Sequence, residues 1–380
     1  MITPSGTGLY IHFPWCERKC PYCDFNSHVS GQLLPEAEMV TALINDYTSD
    51  LETYGARPID SIFIGGGTPS LISAQSIARL LDGIDRLTPL SDTTEITMEA
   101  NPGSSEQEKF AGYRVAGVNR LSIGVQSFNS EHLKRLGRIH SSDEADRAIQ
   151  AAQTAGFQRI NIDLMYGLPH QTLEQALQDL EQGLSYNTGH LSWYQLTIEP
   201  NTIFYKQRPP LPDDDAIADI ADEGEHFITQ SGLKRYEVSA FATAGQECRH
   251  NINYWRFGDY FGIGAGAHGK ISHNDHIIRI AKQRIPDTYL QAGNRASRLA
   301  VDSTLDQEQL ISEFMLNALR LREGVETSLF QRSTGLAPEC MHNTWRRLQA
   351  QGLMIEGDER LQTTELGWRF LNTVIESFME

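Results

Sequence analysis

The sequence has little cysteine, no long apolar run and no excess of basic charge. Five cysteines stand among 380 residues. A secreted disulfide framework would spread an even number along the chain, so that class is excluded. No window reaches the ~18 consecutive apolar residues of a membrane-spanning helix. The first ten residues, MITPSGTGLY, carry neither the basic nor the apolar region of an export signal. The cytoplasm is therefore the expected address, and peripheral association with a membrane through partners is left open. Lys and Arg number 32 against 49 Asp and Glu, giving a formal charge of −17. A duplex-binding protein needs a basic face, so nucleic acid is not expected as a partner. No internal repeat or low-complexity tract is present. With 40% hydrophobic and 21% charged residues, the composition is that of an ordinary globular chain.

What is present is uneven. Short apolar runs recur through the first 200 residues at Leu9–Phe13, Ser61–Ile64, Glu95–Glu99, Arg120–Val125, Asn161–Tyr166 and Leu191–Leu196. They read as strands. Between them lie helical patterns at Met39–Tyr54, Ser73–Asp85, Asp143–Ala155 and Leu173–Leu184. In the last, Leu173, Ala176, Leu177, Leu180 and Leu184 form one apolar stripe. Alternation over six units predicts an α/β fold with a parallel sheet, either a partial barrel or an open doubly wound sheet. Both collect functional groups at the carboxyl ends of their strands.

The character changes after Pro200. Gln207–Asp215 (QRPPLPDDD) reads as a surface loop, followed by a helix over Ala216–Gln230 with Asp215 as its cap. Tyr236 to Gly269 is rich in Tyr, Phe, Gly and His. From Leu305 onward the pattern predicts helices at Gln307–Leu321, Leu329–Gly335 and Ala337–Gln351. A small hairpin of Leu353–Ile355 with Arg360–Thr363 follows, making a winged-helix-like module. The expected domains are 1–200, a barrel extension over 201–304, and 305–380.

Three of the five cysteines fall within eight residues: Cys16, Cys20 and Cys23. Cys-x3-Cys-x2-Cys brings three thiolates around one compact object. Thiolates suit iron–sulfur clusters and zinc. A structural zinc site wants four ligands, and only His12 and His28 lie close enough to complete one. Three sulfurs with an open position suit a cluster that binds a ligand at one iron.

The spacing after a first strand resembles the radical S-adenosylmethionine superfamily. More narrowly, the chain resembles the branch that holds oxygen-independent coproporphyrinogen III oxidase and the HemW-type heme chaperones. The likeness rests on Tyr10-Ile-His12-Phe-Pro14-Trp-Cys16, Gly65-Gly66-Gly67-Thr68-Pro69-Ser70, Met98-Glu99-Ala-Asn101-Pro102, Ser122-Ile-Gly-Val-Gln126, Leu136-Gly-Arg138-Ile-His140 and Asp163-Leu-Met-Tyr-Gly167. It implies a partial six-unit barrel holding a [4Fe–4S] cluster on Cys16, Cys20 and Cys23. It also implies S-adenosylmethionine on the fourth iron, with Tyr10 against its methionine. Gly66, Gly67 and Thr68 would offer close backbone to the amino group, since glycine has no Cβ to hold it off. Glu99, Gln126, Arg138 and Asp163 would surround carboxylate, ribose and adenine. Gly262-Ile-Gly-Ala-Gly266-Ala267-His268-Gly269 lacks the Lys-Ser/Thr of a phosphate loop. By the resemblance it packs at the adenosine end, through Ala267.

Two departures separate the chain from the oxidase. The oxidase continues its motif as Cys-x-Cys, where this chain has Phe25, and it carries a longer segment before the first cysteine. His250-Asn251-Ile-Asn-Tyr254-Trp255 matches the His-Asn-x-x-Tyr-Trp motif of the chaperone group. Imidazole ligates heme iron, and aromatic side chains give flat walls for a macrocycle. His250 is the expected axial ligand, with a hydrogen-bonded structural histidine as the alternative. The resemblance thus implies heme as cargo and apo-hemoproteins, respiratory ones among them, as partners. The competing reading is radical decarboxylation of coproporphyrinogen III. Whether S-adenosylmethionine is cleaved stays open.

Overall fold

The structure is a computed structural model that describes residues 2–31, 34–103 and 109–379. Six strands run in parallel: β1 (Thr7–Phe13), β2 (Ser61–Gly66), β3 (Glu95–Ala100), β4 (Arg120–Gln126), β5 (Arg159–Tyr166) and β6 (His190–Gln195). Each pairs with the next in parallel register, as the six apolar runs predict. Period-two alternation decides which face each residue takes. Ile96 and Met98 on β3, Leu121 and Ile123 on β4, and Ile160 and Ile162 on β5 join the main apolar core. Helices Glu36–Tyr54, Ala74–Leu87, Ser142–Thr154 and Leu173–Ser185 contribute to the same core.

The intervening residues, Glu95, Thr97, Glu99, Arg120, Ser122, Asn161 and Asp163, form the opposite, polar face. Asn161 donates to Ser122 Oγ at 2.8 Å and to Asp163 at 2.7 Å, and its Oδ1 meets His190 Nδ1 at 2.6 Å. Most buried polar groups are paired in this way. Much of the lumen is hydrogen-bonded, with Thr97 Oγ1 and Arg120 Nε as buried exceptions, and the apolar core lies between sheet and helices.

The sheet extends at both edges. At one, β7 (Lys234–Glu237) and β8 (Ala240–Ala242) form a hairpin whose β8 pairs antiparallel with β6. At the other, β9 (Asp259–Ile263) lies parallel to β1 and is followed by antiparallel β10 (His268–His273), β11 (His276–Lys282) and β12 (Leu299–Thr304). The order is β12-β11-β10-β9-β1-β2-β3-β4-β5-β6-β8-β7.

Helix ends follow their caps. Ser141 and Thr172 each close a capping box with Glu144 and Gln175. The helix expected from Ala216 begins at Asp214, and its cap is Asp213, which accepts from Ala216 N at 2.9 Å, not Asp215. In the C-terminal part, helices Gln307–Ala318, Thr327–Thr334 and His342–Ala350 enclose a second core around Phe314, Phe330 and Trp345. The helix expected over Ala337–Gln351 is interrupted: Pro338–Met341 is a 3-10 turn. A single Met354–Thr363 bridge stands where the hairpin was expected, and Arg360–Leu361 pairs instead with Val325–Glu326. No helix among the described residues is long and apolar enough to cross a membrane.

Candidate functional site

The cysteines stand on a loop that leaves the carboxyl end of β1. Trp15–Cys16 pairs briefly with His28–Val29, which closes the loop at its base. Inside it, Cys23 N donates to Cys20 O at 3.1 Å, and Lys19 Nζ reaches the carbonyls of Phe25 and Ser27 at 3.1 and 3.3 Å. Asn26 anchors the far side: its Nδ2 donates to Ala265 O at 2.9 Å and Arg284 O at 2.8 Å, and its carbonyl meets His12 Nε2 at 2.9 Å. The glycine turn after β2 is clamped to the same loop. Gly67 N donates to Phe13 O and Thr68 N to Trp15 O, both at 2.7 Å. A Cβ on Gly67 would fall 2.3 Å from Trp15 O, and Gly66 holds φ of +118°, so neither position admits a side chain.

Cys16, Cys20 and Cys23 line one cavity of about 140 Å³ with Gly66, Gly67, Thr68, Glu99, Arg138 and Asp163. A neighbouring recess shares Arg18, Cys20, Asn101 and Arg138 with it. Among the described residues no three His, Cys, Asp or Glu side chains close on a point that would hold a single ion. Three thiols on the border of one cavity are a donor set that an iron–sulfur cluster takes. The clamped glycine turn adds a backbone cradle at the side of the cavity.

Charge at the site is divided. Arg138 donates through Nη2 to Asn101 Oδ1 and Gly124 O, both at 2.8 Å, and its Nη1 lies 3.8 Å from Cys20 Sγ. That guanidinium leaves positive charge facing the cavity. Opposite stand two carboxyls. Glu99 accepts from Gly66 N at 3.1 Å, and burial, then the nearby Asp163, push it up to about 8. Asp163 accepts from Ser122 Oγ at 3.0 Å and from Asn161, and burial raises it as well. A cavity with a cation at one side and two buried carboxyls at another offers a donor to a carboxylate and acceptors to an ammonium and to hydroxyls.

Four residues singled out by sequence do not border this cavity. Tyr10 sits beside it, its hydroxyl 2.9 Å from His12 Nδ1 and its ring stacked on Phe63. Gln126, at φ of +69° where the β4–β5 register shifts, accepts from Tyr194 OH at 2.8 Å. Tyr194 lines the cavity, so Gln126 reaches it at one remove. Ala267 is buried in the β9–β10 turn, whose Ala265 carbonyl holds Asn26.

His250 lies at the opposite end of the barrel. Its Nδ1 is 2.9 Å from Ser61 Oγ at the start of β2, its Nε2 is 3.0 Å from Tyr254 OH, and its ring stacks on Phe63. It is 1% exposed, and burial followed by Arg120 lowers its pKa to about 3. An imidazole so placed is neutral with both nitrogens engaged. To reach an iron it would exchange one of these partners for the metal.

Tyr22, Asn101, Ser122 and Tyr194 line the cavity without having been singled out. Asn101 and Ser122 stood inside quoted motifs, and Tyr22 stands between two cysteines. Only Tyr194, on the sixth strand, had no signal beyond its strand end.

Residues 10–182 match the family model described as the radical SAM superfamily, and residues 305–370 match the HemN C-terminal domain. The heme chaperone HemW of Escherichia coli strain K12 is 49% identical over 380 residues, covering 100% of each chain. The heme chaperone HemW of Haemophilus influenzae is 46% identical over 98% of this chain and 97% of its own. Among solved structures, the coproporphyrinogen III oxidase HemN from Escherichia coli, a radical SAM enzyme, aligns with a TM-score of 0.82 at 25% identity. That alignment covers 98% of this chain and 90% of that one.

Proposed function

Since the chain belongs to the HemW family within the radical SAM superfamily, we propose that it is a heme chaperone that binds heme and passes it to apo-hemoproteins. The observation that carries this is the full-length 49% identity to a HemW protein, against 25% to the oxidase of like fold. Phe25, where the oxidase branch has a further cysteine, agrees with it.

In this reading Cys16, Cys20 and Cys23 hold a [4Fe–4S] cluster, and S-adenosylmethionine occupies the remaining iron. When bound, the cluster supplies one-electron chemistry toward the sulfonium. The protein's own residues do the positioning. Arg138 takes the cofactor carboxylate, while Glu99 and Asp163 accept from ammonium and ribose hydroxyls. Gly66, Gly67 and Thr68 bring backbone close. Tyr10, Gln126 and Ala267 support this shell from beside it. His250 holds the floor of the barrel, and the heme iron takes its ligand elsewhere. The site of action is the cytoplasm, and the recipients are apo-hemoproteins, respiratory ones included. The three units 1–200, 201–304 and 305–380 serve as cofactor barrel, extension and C-terminal cover.

The test is a heme titration of the anaerobically reconstituted protein beside an assay with coproporphyrinogen III. A Soret band, no porphyrinogen conversion, and transfer of the bound heme to an apo-hemoprotein are expected. Conversion of the porphyrinogen would replace the chaperone by the oxidase. His250→Ala is expected to keep the Soret maximum of the wild type. A shifted maximum in a variant with full iron content would restore His250 as the ligand.

A further inference from the structure

The lumen of the barrel carries a hydrogen-bonded chain whose direction is set by a group that can only donate. That group is the backbone N–H of Cys248, which reaches Tyr236 OH at 3.2 Å. The Tyr236 oxygen accepts there, so its own proton goes to His190 Nε2, 2.9 Å away. Burial, with Arg120 and Arg159 near, holds the His190 pKa well below its usual range, so the ring is neutral and carries one N–H. With Nε2 accepting, that proton sits on Nδ1 and is donated to Asn161 Oδ1 at 2.6 Å. The amide nitrogen of Asn161 is then turned toward Asp163 Oδ1 at 2.7 Å and Ser122 Oγ at 2.8 Å. Ser122 donates its own proton to Asp163 Oδ2 at 3.0 Å.

The protons of the chain thus all point toward one carboxyl. Asp163 receives N–H on one oxygen and O–H on the other, and it lines the cysteine cavity together with Ser122. Satisfying the Asn161 amide does not by itself require the histidine, because Ser192 Oγ also meets Asn161 Oδ1, at 3.1 Å. A hydroxyl donates or accepts, so Ser192 alone would let the amide turn over. The imidazole, its tautomer fixed by Tyr236, does not. Hydrogen bonds aligned in one direction also polarise one another, which strengthens the last of them. The outcome is an Asp163 kept as an acceptor, against the burial that favours its protonated form.

We propose that His190 is a positioning residue of the cofactor site: held by Tyr236, it fixes the Asn161 amide so that Asp163 accepts from hydroxyls of the ligand in the cavity. The inference rests on the reading that Asp163 meets S-adenosylmethionine, and it names what sets that contact. A ligand that turns a hydroxyl to Asp163 is favoured. One that turns an acceptor there is refused, because the carboxylate has no proton to donate. The chain is also anchored outside the barrel strands. It begins on β7, where Tyr236 O accepts from Arg322 N of the C-terminal part at 3.0 Å.

Binding of S-adenosylmethionine to the cluster-reconstituted, full-length protein is followed by anaerobic calorimetric titration, with iron content and melting temperature as checks of folding. His190→Leu should weaken binding about tenfold, the worth of one hydrogen bond. His190→Asn, whose amide N–H stands where the Nδ1–H stood, should stay within about twofold of the wild type, and Tyr236→Phe should weaken binding about threefold. Asp163→Asn removes the carboxylate, so His190→Leu should cost nothing further in that background, whereas side chains that act independently add their losses. Equal losses from His190→Leu with and without Asp163→Asn overturn the proposal and leave the cofactor reading standing. Unchanged binding in Asp163→Asn overturns both. His190→Asn as weak as His190→Leu also overturns the proposal, since the ring would then act by its bulk. If His190→Leu takes up no iron, Tyr236→Phe is combined with Asp163→Asn instead. The same loss from Tyr236→Phe in both backgrounds, or none in either, then overturns the proposal.

Discussion

Five thiols occupy three environments, and their chemistry follows from where each sits. Cys16, Cys20 and Cys23 border the cavity. Cys248 is buried, with its thiol 3.7 Å from Glu95 and its pKa pushed up to about 11, chiefly by burial. Cys340 is exposed in the C-terminal part. Cys16→Ser, Cys20→Ser and Cys23→Ser should each abolish iron binding on anaerobic reconstitution, and Cys248→Ser and Cys340→Ser should leave it intact. Iron analysis and the EPR signal decide this, and a requirement for all five thiols would sink the three-ligand site. Glu99 yields a second expectation. The unfolded chain releases this proton near 4.5 and the folded chain near 8. Between those values the folded state holds more protons, so stability falls as pH rises through the window. The incoming ammonium of S-adenosylmethionine favours the ionised carboxyl, so affinity should rise with pH up to about 8. Glu99→Gln should flatten both dependences in urea titrations and calorimetry, and persistence of both in that variant would remove Glu99 from the site. At this scale the sequence was legible where chemistry sits inside a local motif. It was silent where partners are distant, as with Lys282 buried between Asp46 and Asp50 at 2.6 and 2.8 Å. Nothing local marks such a pair, because more than 230 residues separate its members.

Elements were legible in proportion to their periodicity. The six parallel strands stand in the sequence as short apolar runs between helical patterns, and each is recognisable from that. Strands β9 to β12 were not, because glycine interrupts the first of them. The run from Gly262 to Gly269 is the β9–β10 turn: a Cβ on Gly262 would fall 1.8 Å from His268 O, and Gly264 and Gly266 take φ of +106° and +83°. Glycines there serve close backbone approach, and from sequence alone they look like a ligand loop. The cap of helix Asp214–Gln230 was misread by two residues because three aspartates in a row carry the same propensity. Once placed, that helix packs Gly224 on β6: an added Cβ would lie 1.9 Å from Trp193 Cη2. Alanine in a free helix gains about 1 kcal/mol over glycine. Here the overlap is with a buried ring already packed on Tyr166 at 4.3 Å between centroids, and overpacking costs about 1–3 kcal/mol. Overpacking should win, so Gly224→Ala should lower the urea midpoint. A raised midpoint would show that the helix can slide off the ring.

At the scale of the whole molecule, the C-terminal part is joined to the barrel by shared core as well as by backbone. Its apolar cluster takes in Phe257 and Ile277 from the sheet extension, and the Phe257 and Phe314 rings lie 5.5 Å apart. Val238 N donates to Arg320 O and Arg322 N to Tyr236 O, both at 3.0 Å, so this part also continues the hydrogen bonding of the β7–β8 hairpin. A chain ended at Thr304 would bare Phe257 and Ile277 and leave two backbone partners of the hairpin unpaired. Burial of a large apolar side chain contributes about 1.5–3 kcal/mol, and a backbone hydrogen bond exchanged for water loses on the order of 0.5–1.5 kcal/mol. Together these are a large share of a typical stability of about 5–15 kcal/mol. The shortened chain should therefore melt well below the full one and scatter light on heating. Iron should still bind at low temperature, since the anchors of the cysteine loop named above, from His12, Ala265, Arg284 and the His28–Val29 strand, all precede Thr304. A monomeric truncation with the melting temperature of the full chain would mean that the two cores are independent. The hydrogen bonds between Tyr236 and Arg322 would then be incidental to the stability of the barrel.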